Sequence, residues 1–138
     1  MPALTQDRDT VRRNGDLAAF PVAAATKIFA GGIVCAQTGA NFVTKGATST
    51  TLRGIGVAEE TADNSTGAAG AISVKTRRDG WFRFANSAAG DQIGLADVGA
   101  DCYIVDDQTV AKTSGTNTRS VAGKVRDVDA VGVWIEFN

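Results

Sequence analysis

Glycines recur at short intervals through this chain of 138 residues, and their spacing limits the folds available to it. All of the 16 glycines except Gly15 lie beyond Leu17, where they separate short runs of small and β-branched residues. Glycine weakens helix interiors and permits tight turns, so this pattern favours short strands joined by turns. Outside residues 16–27, where Pro21 would break a helix, no amphipathic helical pattern emerges. We therefore predict an all-β fold, a small β-barrel or β-sandwich of short strands. Barrel and sandwich both stay open, because alternation defines the faces of strands but not their order.

Two segments carry the pattern of a β-hairpin. Residues 71–86 alternate on both sides of Asp79-Gly80, a strong two-residue turn signal, with Phe82 and Phe84 on the core face and Trp81 on the other. Residues 121–137 predict a strand near 121–128, a turn around Asp129-Ala130 and a final strand. The core face of that final strand is expected to carry Val131, Val133, Ile135 and Phe137.

The stretch "RGIGV", residues 53–57, places two glycines inside a predicted strand. It lacks the third glycine, the following helix and the downstream acid of a dinucleotide-binding motif. Glycines in a strand more often mark close approach of another backbone or a bulge. We therefore interpret Gly54 and Gly56 in that way, and we expect Ile55 and Val57 to share one face.

The first sixteen residues differ from the rest of the chain in composition. They are polar, balanced in charge and without strand alternation, so we predict an N-terminal arm over residues 1–16 and a single β domain over residues 17–138. No apolar stretch accompanies these charges, so we expect no secretory signal, and no later stretch reaches the roughly 20 apolar residues that span a bilayer. The candidate partner contacts in the arm are Asp7, Arg8, Asp9, Arg12 and Arg13.

The charge balance and the residue types argue against several classes of function. Fourteen basic and 15 acidic residues give a net charge of −1, so we expect no general attraction to nucleic acid or to a membrane surface. The chain contains no histidine, which removes the commonest general base and metal ligand near neutral pH. We therefore predict a protein that is not an enzyme, with no catalytic residue, no metal and no cofactor.

The two cysteines are far apart in the sequence and have no metal-binding spacing. Cys35 and Cys102 are each flanked by apolar or small residues, so we interpret them as buried hydrophobic side chains. A disulfide between them stays open at this level.

Two adjacent acids, Asp106 and Asp107, interrupt the apolar runs of "CYIVDDQTVAKT". A metal would need further converging oxygen ligands, and a catalytic pair must flank a substrate bond, whereas adjacent residues of an extended chain point apart. Aspartate also favours turns, because its carboxylate accepts hydrogen bonds from nearby backbone amides. We therefore predict that these two residues reverse the chain in a hairpin.

A basic cluster beside aromatic residues lies between residues 75 and 83. It consists of Lys75, Arg77, Arg78 and Arg83. Net charge and the core alternation of the neighbouring phenylalanines argue against nucleic-acid binding, whereas arginine and tryptophan are both enriched at protein interfaces. We hypothesise that this basic cluster meets an acidic cluster, across a subunit boundary or between neighbouring strands. The acidic cluster comprises Asp101, Asp106 and Asp107. The candidate contacts here are Arg77, Arg78, Trp81, Asp106 and Asp107.

Residues 54–137 resemble a family of small capsid decoration proteins, also called cement or minor capsid proteins, of tailed phages and prophages of the Mu-like siphophage type. The most specific segments are "GVAEETADN", "FRFANSAAGD", "CYIVDDQTVAKT", "RSVAGKVRDVD" and "GVWIEF". Residues 17–53 are less distinctive.

The resemblance implies a compact β domain on the outside of an icosahedral head, made in the bacterial host cytoplasm. Its implied partners are the major capsid protein and other copies of itself, commonly as homotrimers over local three-fold positions, with an arm reaching over neighbouring capsid subunits. The family carries no catalytic residues to transfer. Two alternatives stay open, another virion β module in a tail or fibre, and a cellular β-rich binding domain.

Overall fold

The computed structural model describes residues 3–138, and the chain is all-β as predicted; Met1 and Pro2 lie outside the described residues. The strands in chain order are β1 (Leu17–Pro21), β2 (Thr26–Ile28), β3 (Ile33–Gln37), β4 (Val43–Lys45), β5 (Leu52–Ala58), β6 (Ala62–Asn64), β7 (Ser73–Arg77), β8 (Phe82–Asn86), β9 (Asp101–Ile104), β10 (Thr109–Ala111), β11 (Val121–Val128) and β12 (Val133–Glu136). Two short 3₁₀ helices, Ala89–Asp91 and Leu95–Asp97, connect β8 to β9.

The first seven strands and the last five build separate sheets. Strands β1-β7-β5-β3-β4 form a five-stranded sheet, and β2 pairs with β6 in a two-stranded ribbon. Strands β10-β8-β12-β11-β9 form a closed barrel, in which β8 and β10 run parallel and the other pairs antiparallel. The small barrel allowed by the sequence is therefore present, with an additional sheet beside it.

Two hydrophobic cores hold these sheets together. The first fills the barrel and includes Ile33 and Cys35 of β3, so one face of the five-stranded sheet packs against the barrel. The second core contains Val34, Ile28 and Val74 and lies on the opposite face of the sheet, under the ribbon. Because successive side chains of a strand point to opposite faces, β3 contributes to both cores, and its run "IVC" is fully buried.

The glycines of "RGIGV" lie where backbones approach closely, as predicted. A Cβ atom on Gly54 would lie 2.6 Å from the carbonyl oxygen of Ala122 in β11, and one on Gly56 would lie 2.6 Å from the carbonyl oxygen of Arg77. Strand β5 of the sheet therefore contacts the barrel through a position that tolerates no side chain.

The prediction that Ile55 and Val57 share a face is wrong. Ile55 packs against the second core and Val57 against the first. The pairing of β3 with β5 shifts register between Val34 and Cys35, where β5 carries an extra residue. Such a bulge reverses the alternation of the side chains that follow it.

The predicted hairpin over residues 71–86 is also wrong, although both of its strands exist. Strand β7 pairs with β1 and β5 in the sheet, whereas β8 pairs with β10 and β12 in the barrel. Asp79-Gly80 therefore leads the chain from the sheet into the barrel, with Gly80 at a φ of 87°. The alternation itself is correct, because Phe84 is buried and Trp81 is exposed.

The final hairpin, β11 with β12, is confirmed with one correction. Val133, Ile135 and Phe137 are buried, whereas Val131 is 69% exposed. The carboxylate of Asp129 accepts hydrogen bonds from the amides of Val131 and Gly132, at 2.8 and 2.9 Å. These bonds keep Val131 in the turn, so the core face begins two residues later than predicted.

The N-terminal segment, defined here as residues 3–15, carries no strand or helix, and every one of its residues is exposed. The chain joins the sheet at Asp16, whose carbonyl oxygen accepts a 3.1 Å hydrogen bond from the amide of Arg78. Strand β1 then begins at Leu17.

Candidate interaction surfaces

Asp106 and Asp107 form the turn of the β9–β10 hairpin, as predicted. Ile104 pairs with Val110 across the hairpin, and the amide of Val105 donates to the carbonyl oxygen of Thr109 at 3.0 Å. The Asp106 carboxylate accepts a 2.9 Å hydrogen bond from the amide of Gln108. This is the local bonding that makes aspartate a turn residue.

The same turn also joins the barrel to the five-stranded sheet. The carbonyl oxygen of Asp107 accepts a 2.9 Å hydrogen bond from the amide of Ile33, and Asp106 forms an isolated β-bridge with Ala47. A Cβ atom on Gly46 would lie 2.8 Å from the carbonyl oxygen of Asp106. The backbone of the acidic turn therefore joins the barrel to the sheet, a role that no local sequence pattern indicated.

The basic cluster is engaged mainly with partners other than the predicted acids. Arg77 forms ion pairs with Glu59 and with Asp79, the latter at 3.1 Å, and these hydrogen bonds raise the pKa of the Arg77 guanidinium. Arg78 donates to the main-chain carbonyl oxygen of Asn138. Arg83 lies over the ring of Trp134, 5.6 Å from its centroid.

The acidic cluster has a different cation. Asp101 pairs with Lys124 of the neighbouring strand at 2.7 Å, and among the ion pairs of residues 3–138 none joins the basic to the acidic cluster. The version of our hypothesis in which the two clusters meet between neighbouring strands is therefore not observed. The version across a subunit boundary stays a prediction.

The remaining candidate contacts lie on the surface. Trp81 is 53% exposed and follows Gly80 in the link from the sheet to the barrel. All five charged candidates of the arm are exposed in the N-terminal segment. The structure does not bring these five residues to the basic cluster as one assembled site, and the two groups are connected through the Asp16–Arg78 backbone bond.

Asp129 organises a second turn that sequence analysis recognised only as a turn. Besides the two amides, its carboxylate accepts a 2.8 Å hydrogen bond from the indole nitrogen of Trp134. The Trp134 bond, followed by the two amide bonds, lowers the pKa of the Asp129 carboxyl. The offset of two and three residues from Asp129 to its amide donors is the local signal that was available in the sequence.

A third polar cluster closes the loop between β10 and β11. Arg119 pairs with Asp91 at 3.2 Å and donates to the carbonyl oxygen of Thr113 at 3.1 Å. The hydroxyl of Thr113 donates to the Asp91 carboxylate, which lowers the pKa of that carboxyl. These contacts tie the loop to the first 3₁₀ helix, and sequence spacing carried no signal for them.

Cys35 and Cys102 are buried, free thiols, which confirms the interpretation of buried side chains and leaves no disulfide. Burial raises the pKa of each thiol to about 12. Both are therefore protonated near neutral pH and poor nucleophiles.

The arrangement of residues 3–138 also bears on metal binding and on membrane insertion. No group of three or more Cys, Asp or Glu side chains there is arranged to hold a metal ion. No helix in the described part of the chain is long and apolar enough to cross a membrane.

Comparison with protein-family models, with curated proteins and with solved structures finds no match to this chain.

Proposed function

We propose that this protein is a virion structural protein that decorates the outer surface of an icosahedral phage head and stabilises the contacts between major capsid protein subunits. It acts without catalysis or a cofactor, as a homotrimer over local three-fold positions. The resemblance of residues 54–137 to capsid decoration proteins supports this assignment.

The observation that carries the proposal is the contrast between the two parts of the chain. The β body encloses two cores, whereas residues 3–15 are exposed along their whole length and include the apolar side chains of Leu4 and Val11. A segment of this kind buries little in its own chain, and it gains contacts by covering a partner. A binding role explains this division better than chemistry at a pocket.

The proposed mechanism is mechanical. Packaged DNA strains the joints between capsid subunits, and a protein that bridges several subunits adds contact area at those joints. Because the copies bind a symmetric lattice, individually weak contacts are reinforced by multivalency. The N-terminal segment loses conformational entropy when it binds, which lowers the affinity per unit of area but lets few residues span a large surface.

The first prediction is that removal of residues 1–15, which keeps Asp16 and its backbone bond to Arg78, abolishes most decoration while the β body still folds. The segment contributes no residue to either core, so the circular dichroism and thermal transition of the truncated protein should match those of the full chain. We expect its affinity for empty heads, measured by co-sedimentation at several protein concentrations, to fall by about tenfold or more, which corresponds to a loss of about 1.4 kcal/mol per copy.

The matched control replaces the charged arm residues conservatively, Asp7→Glu and Arg12→Lys, which keeps the length and charge of the segment. Equal occupancy of the truncated and full-length proteins on purified heads would overturn the role of the arm. Electron microscopy of the native particle tests the location of the protein, since density at the tail or fibre would favour the alternative virion β module.

A further inference from the structure

The junction between the N-terminal segment and the β body contains an asparagine followed directly by a glycine, Asn14-Gly15. Both residues are exposed, and nothing lies within 4 Å of the position that a Cβ atom on Gly15 would occupy. Among the turn and loop backbone bonds of residues 3–138, none involves residues 3–15, and the first is made by Asp16. The carboxamide of Asn14 and the backbone nitrogen of Gly15 can therefore approach each other without breaking a backbone contact.

This approach matters because the two groups can react with each other. The Gly15 nitrogen loses its proton and attacks Cγ of the Asn14 carboxamide, so that a new C–N bond forms, the Cγ–Nδ2 bond breaks and ammonia leaves. Water then opens the five-membered succinimide ring, either at Cγ to give aspartate or at the main-chain carbonyl carbon to give isoaspartate. Asparagine is a thermolabile residue, and glycine carries no Cβ atom that would hinder the attack. Water is the only co-reactant.

Asn64 shows how the fold prevents the same reaction elsewhere. Its side chain is buried, and its carboxamide donates a 2.9 Å hydrogen bond to the carbonyl oxygen of Ala23. The next amide along the chain, that of Ser65, donates to the Asp63 carboxylate at 3.0 Å. Both the group that would be attacked and the nitrogen that would attack it are therefore engaged.

Two further asparagines are held by hydrogen bonds. The carboxamide of Asn86 donates to the carbonyl oxygen of Ile93 at 2.8 Å and accepts from the amide of the same residue at 2.9 Å. Asn117 is exposed, but the amide of Thr118, which follows it, donates to the carbonyl oxygen of Ser114 at 2.9 Å. Ring closure at either position would have to break these bonds.

Asn41 provides the nearest comparison, because its side chain is exposed in the same way as that of Asn14. The residue that follows it is Phe42, which is half-buried and lines the apolar opening beside Phe20. A large side chain on the attacking residue hinders ring closure, whereas Gly15 has none. Asn41 therefore serves as an internal control for the effect of the following residue.

We propose that Asn14-Gly15 is a spontaneous modification site, at which the chain converts to aspartate and isoaspartate and so changes the charge and direction of the N-terminal segment. Residues 3–15 contain three arginines and two aspartates, so a new carboxylate takes their net charge from +1 to zero. Isoaspartate also routes the main chain through its β-carbon, which inserts one atom just before Asp16, where the chain is fixed to the sheet. The modification is a property of the chain itself and does not depend on the proposed capsid function.

The second prediction is that full-length protein incubated at pH 8 gains one dalton per modified chain, because –NH2 is replaced by –OH, and that peptide mapping places the change at Asn14. Mapping should find both aspartate and isoaspartate there. The conversion should be slower at pH 6, because the attacking nitrogen must lose its proton. Gly15→Ala should slow it by about tenfold, because the added methyl group hinders the attack.

Two controls separate this site from general ageing of the protein. Asn14→Gln should abolish the change at this position, and Gly90→Ala, which adds a methyl group at an open position far along the chain, should leave the rate at Asn14 unaltered. An Asn14 that stays unmodified, conversion of Asn41 at the same rate as Asn14, or equal rates with and without Gly15→Ala would each overturn the proposal. No capsid is present in these measurements, so their outcome is independent of whether the protein decorates heads.

Discussion

Asp129 holds the final hairpin through a single carboxylate. It accepts bonds from the amides of Val131 and Gly132 and from the indole of Trp134, and these bonds explain both the exposure of Val131 and the lowered pKa of the carboxyl. At the residue scale, the chemistry of one acid therefore fixes where the last strand begins. Ionisation of Asp129 should therefore make the stability of the protein depend on pH.

The third prediction is that Asp129→Ala lowers the free energy of unfolding at pH 7 and that the difference from the unaltered protein shrinks in acid. The pKa of this carboxyl is lower in the folded than in the unfolded state. Its stabilisation is therefore present above the unfolded pKa of about 3.9 and is lost as the pH falls through the folded value. Urea unfolding at pH 7, 4 and 3 measures the trend.

The control for Asp129 is Glu60→Ala, which removes a carboxylate from another exposed position. That variant should match the unaltered protein at each pH. A deficit of Asp129→Ala that stays constant from pH 7 to pH 3 would show that the carboxylate charge is not what holds the turn.

At the scale of elements, the close contact between β5 and β11 depends on glycine at position 54, which has no side chain. Gly54 lies against Ala122 and Phe137, and its backbone conformation is one that other residues adopt. Space rather than backbone freedom therefore demands glycine at this position. The contact joins the sheet to the barrel, so a substitution here separates two elements instead of straining one loop.

The fourth prediction is that Gly54→Ala destabilises the protein by about 1–3 kcal/mol, the usual cost of overpacking a tight contact. The added methyl would lie 2.6 Å from the Ala122 carbonyl oxygen, which is backbone and cannot rotate away. Chemical denaturation provides the measurement. Gly90→Ala is the matched control, because nothing lies within 4 Å of a Cβ atom there, and similar losses for the two variants would contradict the close contact as the cause.

Elements formed by neighbouring segments were predictable, and those formed by distant segments were not. The β9–β10 and β11–β12 hairpins follow from local turns at Asp106 and Asp129. The same reasoning failed at Asp79-Gly80, because β7 and β8 each pair with strands far away in sequence. A turn signal specifies a change of direction, but it does not specify which strand becomes the neighbour.

At the scale of the whole molecule, the first core links the sheet and the barrel into one unit. Cys35 of β3 and Cys102 of β9 both lie in that core, one from each sheet, and both are fully buried. The two thiols therefore report whether the halves of the chain open together. Their pKa of about 12 also suppresses reaction in the folded state at neutral pH.

The fifth prediction is that both thiols resist alkylation at pH 7.5 and become reactive together on unfolding. Cys35→Ala and Cys102→Ala isolate the two thiols, and their labelling rates, corrected for the stability of each variant, should agree within about twofold if the halves open cooperatively. Two free thiols should be titrated in denaturant. Rapid labelling of one cysteine under conditions where the other is protected would show that the sheet and the barrel open separately.

The candidate surfaces divide in the same way between what was predictable and what was not. The charged, exposed character of the N-terminal segment follows from its composition. The surface position of Trp81 follows from the alternation of residues along its predicted strand. The apolar opening of about 300 Å³ lined by Phe20, Phe42 and Ile55 was not predictable, because it joins three segments that are separated in the sequence. The ion pairs of Arg77 and Asp101 were likewise set by strand neighbours, Glu59 and Lys124.

By itself the sequence determined the all-β class, the local hairpins and most buried faces, because glycine spacing, turn chemistry and alternation act over a few residues. Only the tertiary structure decided the parallel closure of β8 on β10, the packing of the sheet on the barrel and the apolar opening lined by Phe20, Phe42 and Ile55. The physical reason is that strands pair through backbone groups common to nearly every residue. The choice of partner therefore depends on how distant segments fill a shared core.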